Sequence, residues 1–169
     1  MNSTVLLVVD DSSFSQSLSE SLKRLKASVL TAANKREALE VCSSRDVDLA
    51  LLDIRQKGKD AMQVLARLKK NQPETEVILL SDPGNIALAM EGMRHGASED
   101  ITVPFDIDTF RKTIKNALRR RNAHIKAGRK RSLLDVFADT MMAATFAEAG
   151  EFDTAQNMCR DDVEKENIE

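Results

Sequence analysis

The chain has 169 residues, of which 42% are hydrophobic and 31% are charged, and its formal net charge is −2. This composition is typical of a folded globular protein and excludes an intrinsically disordered one. The longest apolar run, from Val5 to Val9, is far shorter than the roughly 20 residues that a membrane-spanning helix needs. No basic residue stands ahead of that run, so we expect neither a signal peptide nor a membrane anchor and place the protein in the cytoplasm.

Five short apolar runs alternate with five segments in which apolar residues recur every three or four positions. The runs predict strands at residues 4–9, 29–32, 49–52, 77–80 and 101–103. The helical patterns follow Ser12, Asn34, Gly58, Pro83 and Pro104. Strict alternation of this kind predicts an α/β fold, in which right-handed crossovers place helices on both faces of a five-stranded parallel sheet.

Two local signals predict helix ends. Asn34 is followed three residues later by Glu37, the spacing of a capping box at a helix N-terminus. Gly96 follows the fourth helical pattern and is expected to end that helix, because glycine tolerates the left-handed conformation of a helix C-terminus.

The C-terminal third differs in charge from the rest of the chain. Residues 111–131 carry many basic side chains and no acidic one, whereas the tail beyond Glu148 is acidic. We therefore predict one domain at residues 1–125 and a helical extension at residues 126–169. Apolar spacing within the extension predicts a helical hairpin at about 132–160, with its turn at Gly150.

Neither the hairpin nor the basic stretch has a single interpretation. The apolar stripe of the hairpin must pack on the first domain, on a partner or on a second copy of the chain, so a homodimer is possible. The basic stretch suggests nucleic acid, but it lacks interleaved aromatic residues. A solvated helix face is therefore the favoured interpretation, and docking of the acidic tail or of an acidic partner is the alternative.

Three acidic residues follow two of the predicted strands. Asp10 and Asp11 follow the first strand, and Asp53 follows the third. With the strand order 2-1-3-4-5, these two strands are neighbours and flank the switch point at which such sheets bind ligands. The carboxylates are therefore expected to meet, where they can hold a hard divalent cation and offer a nucleophile toward phosphorus.

Residues 3–122 resemble the receiver domain of two-component response regulators, which has a flavodoxin-like fold. The motifs that carry the resemblance are Val8-Val9-Asp10-Asp11-Ser12, Leu51-Leu52-Asp53-Ile54-Arg55, Ile78-Leu79-Leu80-Ser81, and Gly96-Ala97 running on to Pro104-Phe105. The resemblance implies that Asp53 accepts a phosphoryl group and that Ser81 contacts that group. It also implies a Mg²⁺ ion held by Asp10, Asp11, Asp53 and the backbone carbonyl of Arg55.

Two positions depart from the family pattern. Val103 stands where the family usually has a lysine that binds the phosphoryl group, and Asp100 stands where it usually has an aromatic switch residue. An isolated buried carboxylate is costly, so we expect Asp100 to be exposed. Arg55, Lys57 and Lys59 lie on the loop after the third strand, within reach of the position of the missing cation, but solvated loop charges are the favoured interpretation.

Together these features predict a signal-transduction protein that is not itself an enzyme. It would accept a phosphoryl group from a sensor histidine kinase or a phosphotransfer protein and act on a downstream protein, without a DNA-binding output domain. The alternative is a pseudo-receiver that serves as an interaction or dimerisation module and needs no phosphate. A metal-dependent phosphatase finds little support, because no acid/base partner stands beside Asp53 in the sequence.

Overall fold

A computed structural model describes residues 3–148, with side chains for residues 3–129 and 141. Five strands form one parallel sheet in the order β2-β1-β3-β4-β5, as predicted. The strands are β1 Thr4–Val8, β2 Ser28–Ala32, β3 Leu49–Asp53, β4 Glu76–Ser81 and β5 Glu99–Thr102. Contacts divide the chain into two units, residues 1–124 and 125–169, and the sheet belongs to the first.

Helices connect the strands at the predicted places. They are α1 Ser12–Arg24, α2 Lys35–Ser44, α3 Gly58–Asn71, α4 Ile86–Arg94, which follows a 3-10 turn at Pro83–Asn85, and α5 Ile107–Glu148. The predicted N-cap of α2 is present, since the backbone N–H of Glu37 donates to Asn34 Oδ1 at 3.1 Å. The return bond differs from a capping box by one residue, because Glu37 Oε2 accepts the backbone N–H of Ala33, at 2.9 Å, and not that of Asn34. The bond from Glu37 satisfies an amide group that the first turn of a helix leaves without a partner.

The three central strands β1, β3 and β4 are buried on both faces, which explains why their apolar runs are continuous rather than alternating. In β1, Leu6 belongs to one apolar cluster and Leu7 to the other. The first cluster contains residues of α2, α3 and α4, and the second contains residues of α1 and α5. Because helices cover both faces of the sheet, a polar site can form at the carboxyl ends of the strands.

The helix α5 runs without a break to Glu148, although a separate helical segment was predicted from about residue 132. The reason is local: residues 119–131 contain no proline and one glycine, Gly128, among good helix formers. The predicted turn at Gly150, the second arm of the hairpin and the acidic tail lie outside the described residues. Over the described part of the chain, no helix has the length and apolarity that crossing a membrane requires.

Part of the basic stretch forms ion pairs with the sheet, so its interpretation as a solvated face is wrong at two positions. Arg120 pairs with Glu76 at 3.1 Å and with Glu99 at 2.6 Å, and these acids begin β4 and β5. Arg121 pairs with Asp48, whose carboxylate also accepts a hydrogen bond from the backbone N–H of Thr4 at 2.6 Å. These arginines therefore join α5 to the strand ends opposite the acidic site.

Gly96 ends α4 in a Schellman motif, which confirms the predicted stop. Its φ angle is +99°, its N–H donates to the carbonyl of Met93 at 3.2 Å, and the N–H of Ala97 donates to Gly92 at 3.0 Å. A side chain is disfavoured at this φ, so Gly96→Ala should lower the free energy of unfolding by about 1–2 kcal/mol in urea titrations. Gly128→Ala is the matched control: a Cβ there meets no atom within 4 Å, and no loss is expected. Equal stability of the Gly96 variant and the wild type would contradict the prediction.

Candidate functional site

The three predicted acids meet at the carboxyl edge of the sheet. Val8, the last residue of β1, lies opposite Leu52, which immediately precedes Asp53 at the end of β3. Asp10, Asp11 and Asp53 consequently line one pocket, together with residues from the start of α2 and the loop after β3. The structure thus brings these acids together as the topology predicted, while their roles in metal binding and phosphoryl transfer stay predictions.

Asp53 is paired with a residue that was predicted to be solvated. Its Oδ1 accepts hydrogen bonds from the backbone N–H and the Nε of Arg55, both at 3.0 Å, and its Oδ2 accepts one from Nη2 at 2.8 Å. The side chains of Arg55 and Asp53 are only 23% and 12% exposed. The hydrogen bonds to Asp53 raise the pKa of the Arg55 guanidinium, against an opposing effect of burial. The interpretation of Arg55 as a free loop charge is therefore wrong.

An aromatic side chain supports the Arg55 guanidinium. The carbon Cζ of Arg55 lies 4.6 Å from the ring centroid of Phe14, a cation–π distance. The Phe14 ring is 6.3 Å from that of Phe105, which stacks on Phe110 at 5.0 Å with 12° between the ring planes. This aromatic column (Phe14, Phe105 and Phe110) connects the guanidinium to the apolar core under α5.

The other two acids also have partners within the chain. Asp10 accepts a hydrogen bond from Nζ of Lys57 at 2.7 Å, and that bond raises the pKa of the lysine. Both side chains are about half exposed, so solvent screens this ion pair more than that of Asp53. Asp11 caps α1, where its Oδ1 accepts the N–H of Phe14 at 2.9 Å. Lys59 is exposed, in agreement with its prediction.

The predicted magnesium ligands fit a hard cation by their chemistry, because three carboxylates and one backbone carbonyl supply only oxygen. That carbonyl, of Arg55, accepts a hydrogen bond from Asn85 Nδ2 at 3.3 Å, so each predicted ligand residue is engaged within the chain. Among the described residues, no three His, Cys, Asp or Glu side chains are arranged to hold a metal ion. Asp10 and Asp53 are therefore held in ion pairs, which a cation would have to open.

Ser81 is buried at the end of β4, and its hydroxyl forms a hydrogen bond with a residue other than Asp53. Its Oγ donates to Asp100 Oδ2 at 2.9 Å. Asp100 is exposed, as predicted, yet its carboxylate reaches back across the edge of the sheet. Val103 is partly buried against the apolar cluster and contributes only its backbone N–H, which donates to the carbonyl of Ser81 at 2.8 Å.

The Ser81–Asp100 pair was not predicted, and its signal lies in the register between β4 and β5. Ser81 pairs with Thr102 between β4 and β5, so that Asp100, two residues earlier, lies on the same face of the sheet. At this position an aromatic side chain would offer no carboxylate to the hydroxyl. Asp100 thus gives the serine a partner that the family pattern does not provide.

A five-stranded parallel sheet in the order β2-β1-β3-β4-β5, connected by helices, is the flavodoxin-like fold of receiver domains. The response regulator receiver domain family matches residues 5–115, and the chain belongs to that family.

Three similar proteins illustrate the relationship. Sporulation initiation phosphotransferase F of Bacillus subtilis is 30% identical over 118 residues, which cover 70% of this chain and 95% of that protein. The regulatory protein LuxO of Vibrio cholerae is 36% identical over 85 residues, which cover 50% of this chain and 19% of LuxO. The crystal structure of the receiver domain of NtrX from Brucella abortus is 30% identical with a TM-score of 0.63, covering 68% of this chain and 98% of that one. The chain thus spans only about a fifth of the length of LuxO.

Proposed function

We propose that the protein is a phosphoryl-accepting receiver of a two-component phosphorelay in the cytoplasm. A sensor histidine kinase or a phosphotransfer protein supplies the phosphoryl group, and the output passes through contacts with a downstream protein. The observation that carries this proposal is the position of Asp53 beside Asp10 and Asp11 in one pocket at the sheet edge. Similarity to a phosphotransferase over 95% of that protein's length supports the assignment to a phosphorelay.

The proposed reaction is nucleophilic transfer to a carboxylate. An oxygen of Asp53 forms a bond to phosphorus while the bond from phosphorus to the donor's imidazole nitrogen breaks. The electron pair of the broken bond stays with the imidazole, which takes up a proton from solvent. When bound by Asp10, Asp11, Asp53 and the carbonyl of Arg55, Mg²⁺ supplies positive charge that reduces repulsion between the carboxylates and the incoming group.

The surface for the output is exposed and apolar on one helix. Ile86, Met90 and Met93 of α4 are 59%, 57% and 41% exposed, and they follow one another at steps of four and three residues. Residues at these steps share a face of a helix. Flexible, polarizable methionines suit a surface that contacts protein partners, so we assign this face of α4 to the downstream contact.

The test is phosphorylation of the full chain by a cognate kinase or by labelled acetyl phosphate. We expect the label to stay on the wild-type chain after denaturation and to be absent from Asp53→Ala, because the alanine variant lacks the nucleophile. Asp60→Asn is the matched control, since Asp60 lines the same pocket but pairs with Lys35 at 3.1 Å. Equal labelling of wild type and the Asp53 variant would show that Asp53 is not the acceptor.

A second candidate is a phosphate-independent interaction or dimerisation module. The pairing of Asp53 with Arg55 and of Ser81 with Asp100 favours it, because both groups expected at the phosphoryl site are already engaged. This module would use the same exposed face of α4 without a switch. Wild-type protein that stays unlabelled with every donor while binding its partner would establish it.

A further inference from the structure

We propose that Arg55 binds the phosphoryl group on Asp53 and thereby replaces the lysine that Val103 displaces. The inference rests on the proposed function, since it names the cation that the acceptor site uses. In the unphosphorylated protein this guanidinium holds the carboxylate, and after transfer it holds the phosphoryl oxygens.

The need for such a cation follows from the residues around Asp53. Val103 has an apolar side chain packed toward the core, so it gives the phosphoryl group no charge-assisted hydrogen bond. The hydroxyl of Ser81 donates its hydrogen bond to Asp100, at 2.9 Å, and not to a group on Asp53. A phosphoryl group adds negative charge beside Asp10 and Asp11, and one Mg²⁺ ion would offset only part of the total negative charge in this partly buried pocket.

The geometry of Arg55 suits that role. Its Nε and Nη2 already donate side by side to the two oxygens of Asp53, at 3.0 and 2.8 Å. The planar guanidinium fork matches phosphate oxygens as well as carboxylate oxygens, whereas the Lys57 ammonium acts as a point charge. Arg55 is therefore placed to exchange its bonds to the carboxylate oxygens of Asp53 for bonds to the added phosphoryl oxygens.

The support behind the guanidinium keeps it at the site. Contact with the Phe14 ring at 4.6 Å restricts one side of the group, and the aromatic column fixes Phe14 in turn. A cation held on an aromatic face loses little conformational freedom when it binds an anion. Lys57 lacks such support: it is about half exposed and pairs with Asp10 rather than with the acceptor.

The experiment measures the occupancy and the lifetime of the aspartyl phosphate on the full chain with labelled acetyl phosphate. Arg55→Gln removes the charge and leaves a shorter polar side chain, and we expect it to lower the steady-state occupancy of the aspartyl phosphate about tenfold. Lys57→Gln, on the same loop, is the matched control and should change occupancy much less. The double variant Arg55→Gln/Val103→Lys should recover most of the loss, because it restores a cation at the position where the family has its lysine.

A second readout does not depend on turnover. In isotope-labelled wild-type protein, the Nε–H resonance of Arg55 should shift when Asp53 is phosphorylated, and circular dichroism should show each variant folded. Occupancy in Arg55→Gln equal to or above that of wild type would overturn the inference while leaving Asp53 as the acceptor. Wild-type protein that takes no label at all would overturn the proposed function and this inference together.

Discussion

Replacement of Phe110 by alanine is expected to lower the free energy of unfolding by about 3–5 kcal/mol. Phe110 is fully buried near the start of α5 and belongs to the apolar cluster between the sheet and the helices α1 and α5. The substitution removes the ring's contacts and leaves a cavity that the surrounding strands cannot fill. Since domains of this size are stable by about 5–15 kcal/mol, the loss is a large part of the total.

The measurement is equilibrium unfolding in urea, followed by circular dichroism. Ile107→Ala is the matched control: Ile107 begins the same helix but is 39% exposed, so its loss should be below about 1 kcal/mol. Phe110 also stacks on Phe105, so the variant should loosen the aromatic column that supports Arg55. A cost for Phe110→Ala no larger than that for Ile107→Ala would show that the cluster relaxes around the missing ring.

The sheet could be predicted from sequence because its signal is simple. A strand buried on both faces must be apolar at every position, and Val5 to Val9 and Val77 to Leu80 stand out for that reason. Alternation with helices indicates a parallel sheet, and in the strand order 2-1-3-4-5 the carboxyl ends of β1 and β3 lie side by side. The convergence of Asp10, Asp11 and Asp53 then follows from topology alone.

The side-chain partners within the site could not be predicted in this way. Whether Arg55 extends into solvent or turns back to Asp53 depends on the path of the loop after β3 and on the Phe14 ring, which belongs to α1. Arg55 lies two residues after Asp53, and this spacing allows either direction of the arginine side chain. The pairing of Arg120 with Glu76 and Glu99 was missed for the same reason, because a basic run shows charge and not the direction in which each side chain points.

Arg55→Gln is also expected to bind Mg²⁺ about tenfold more tightly than the wild type in the absence of phosphate. In the wild type, a cation that binds Asp53 must first displace a guanidinium that makes two hydrogen bonds to the carboxylate in a partly buried site. Loss of a charge-assisted pair of this kind corresponds to about a factor of ten in affinity. The substitution keeps the backbone carbonyl that is the fourth predicted ligand.

Isothermal titration calorimetry of the full chain with MgCl₂ at pH 7 measures the change. Lys57→Gln serves as the control and should tighten binding by less than about threefold, because its pair with Asp10 is half exposed and screened by solvent. Unchanged affinity in Arg55→Gln would show that the arginine does not compete with the metal, and no binding by any variant at millimolar Mg²⁺ would exclude the proposed metal site. The two measurements on Arg55→Gln together separate two roles of the arginine. If Arg55 only blocks the metal, its removal raises both the Mg²⁺ affinity and the occupancy of the aspartyl phosphate. If Arg55 binds the phosphoryl group, its removal raises the Mg²⁺ affinity and lowers the occupancy.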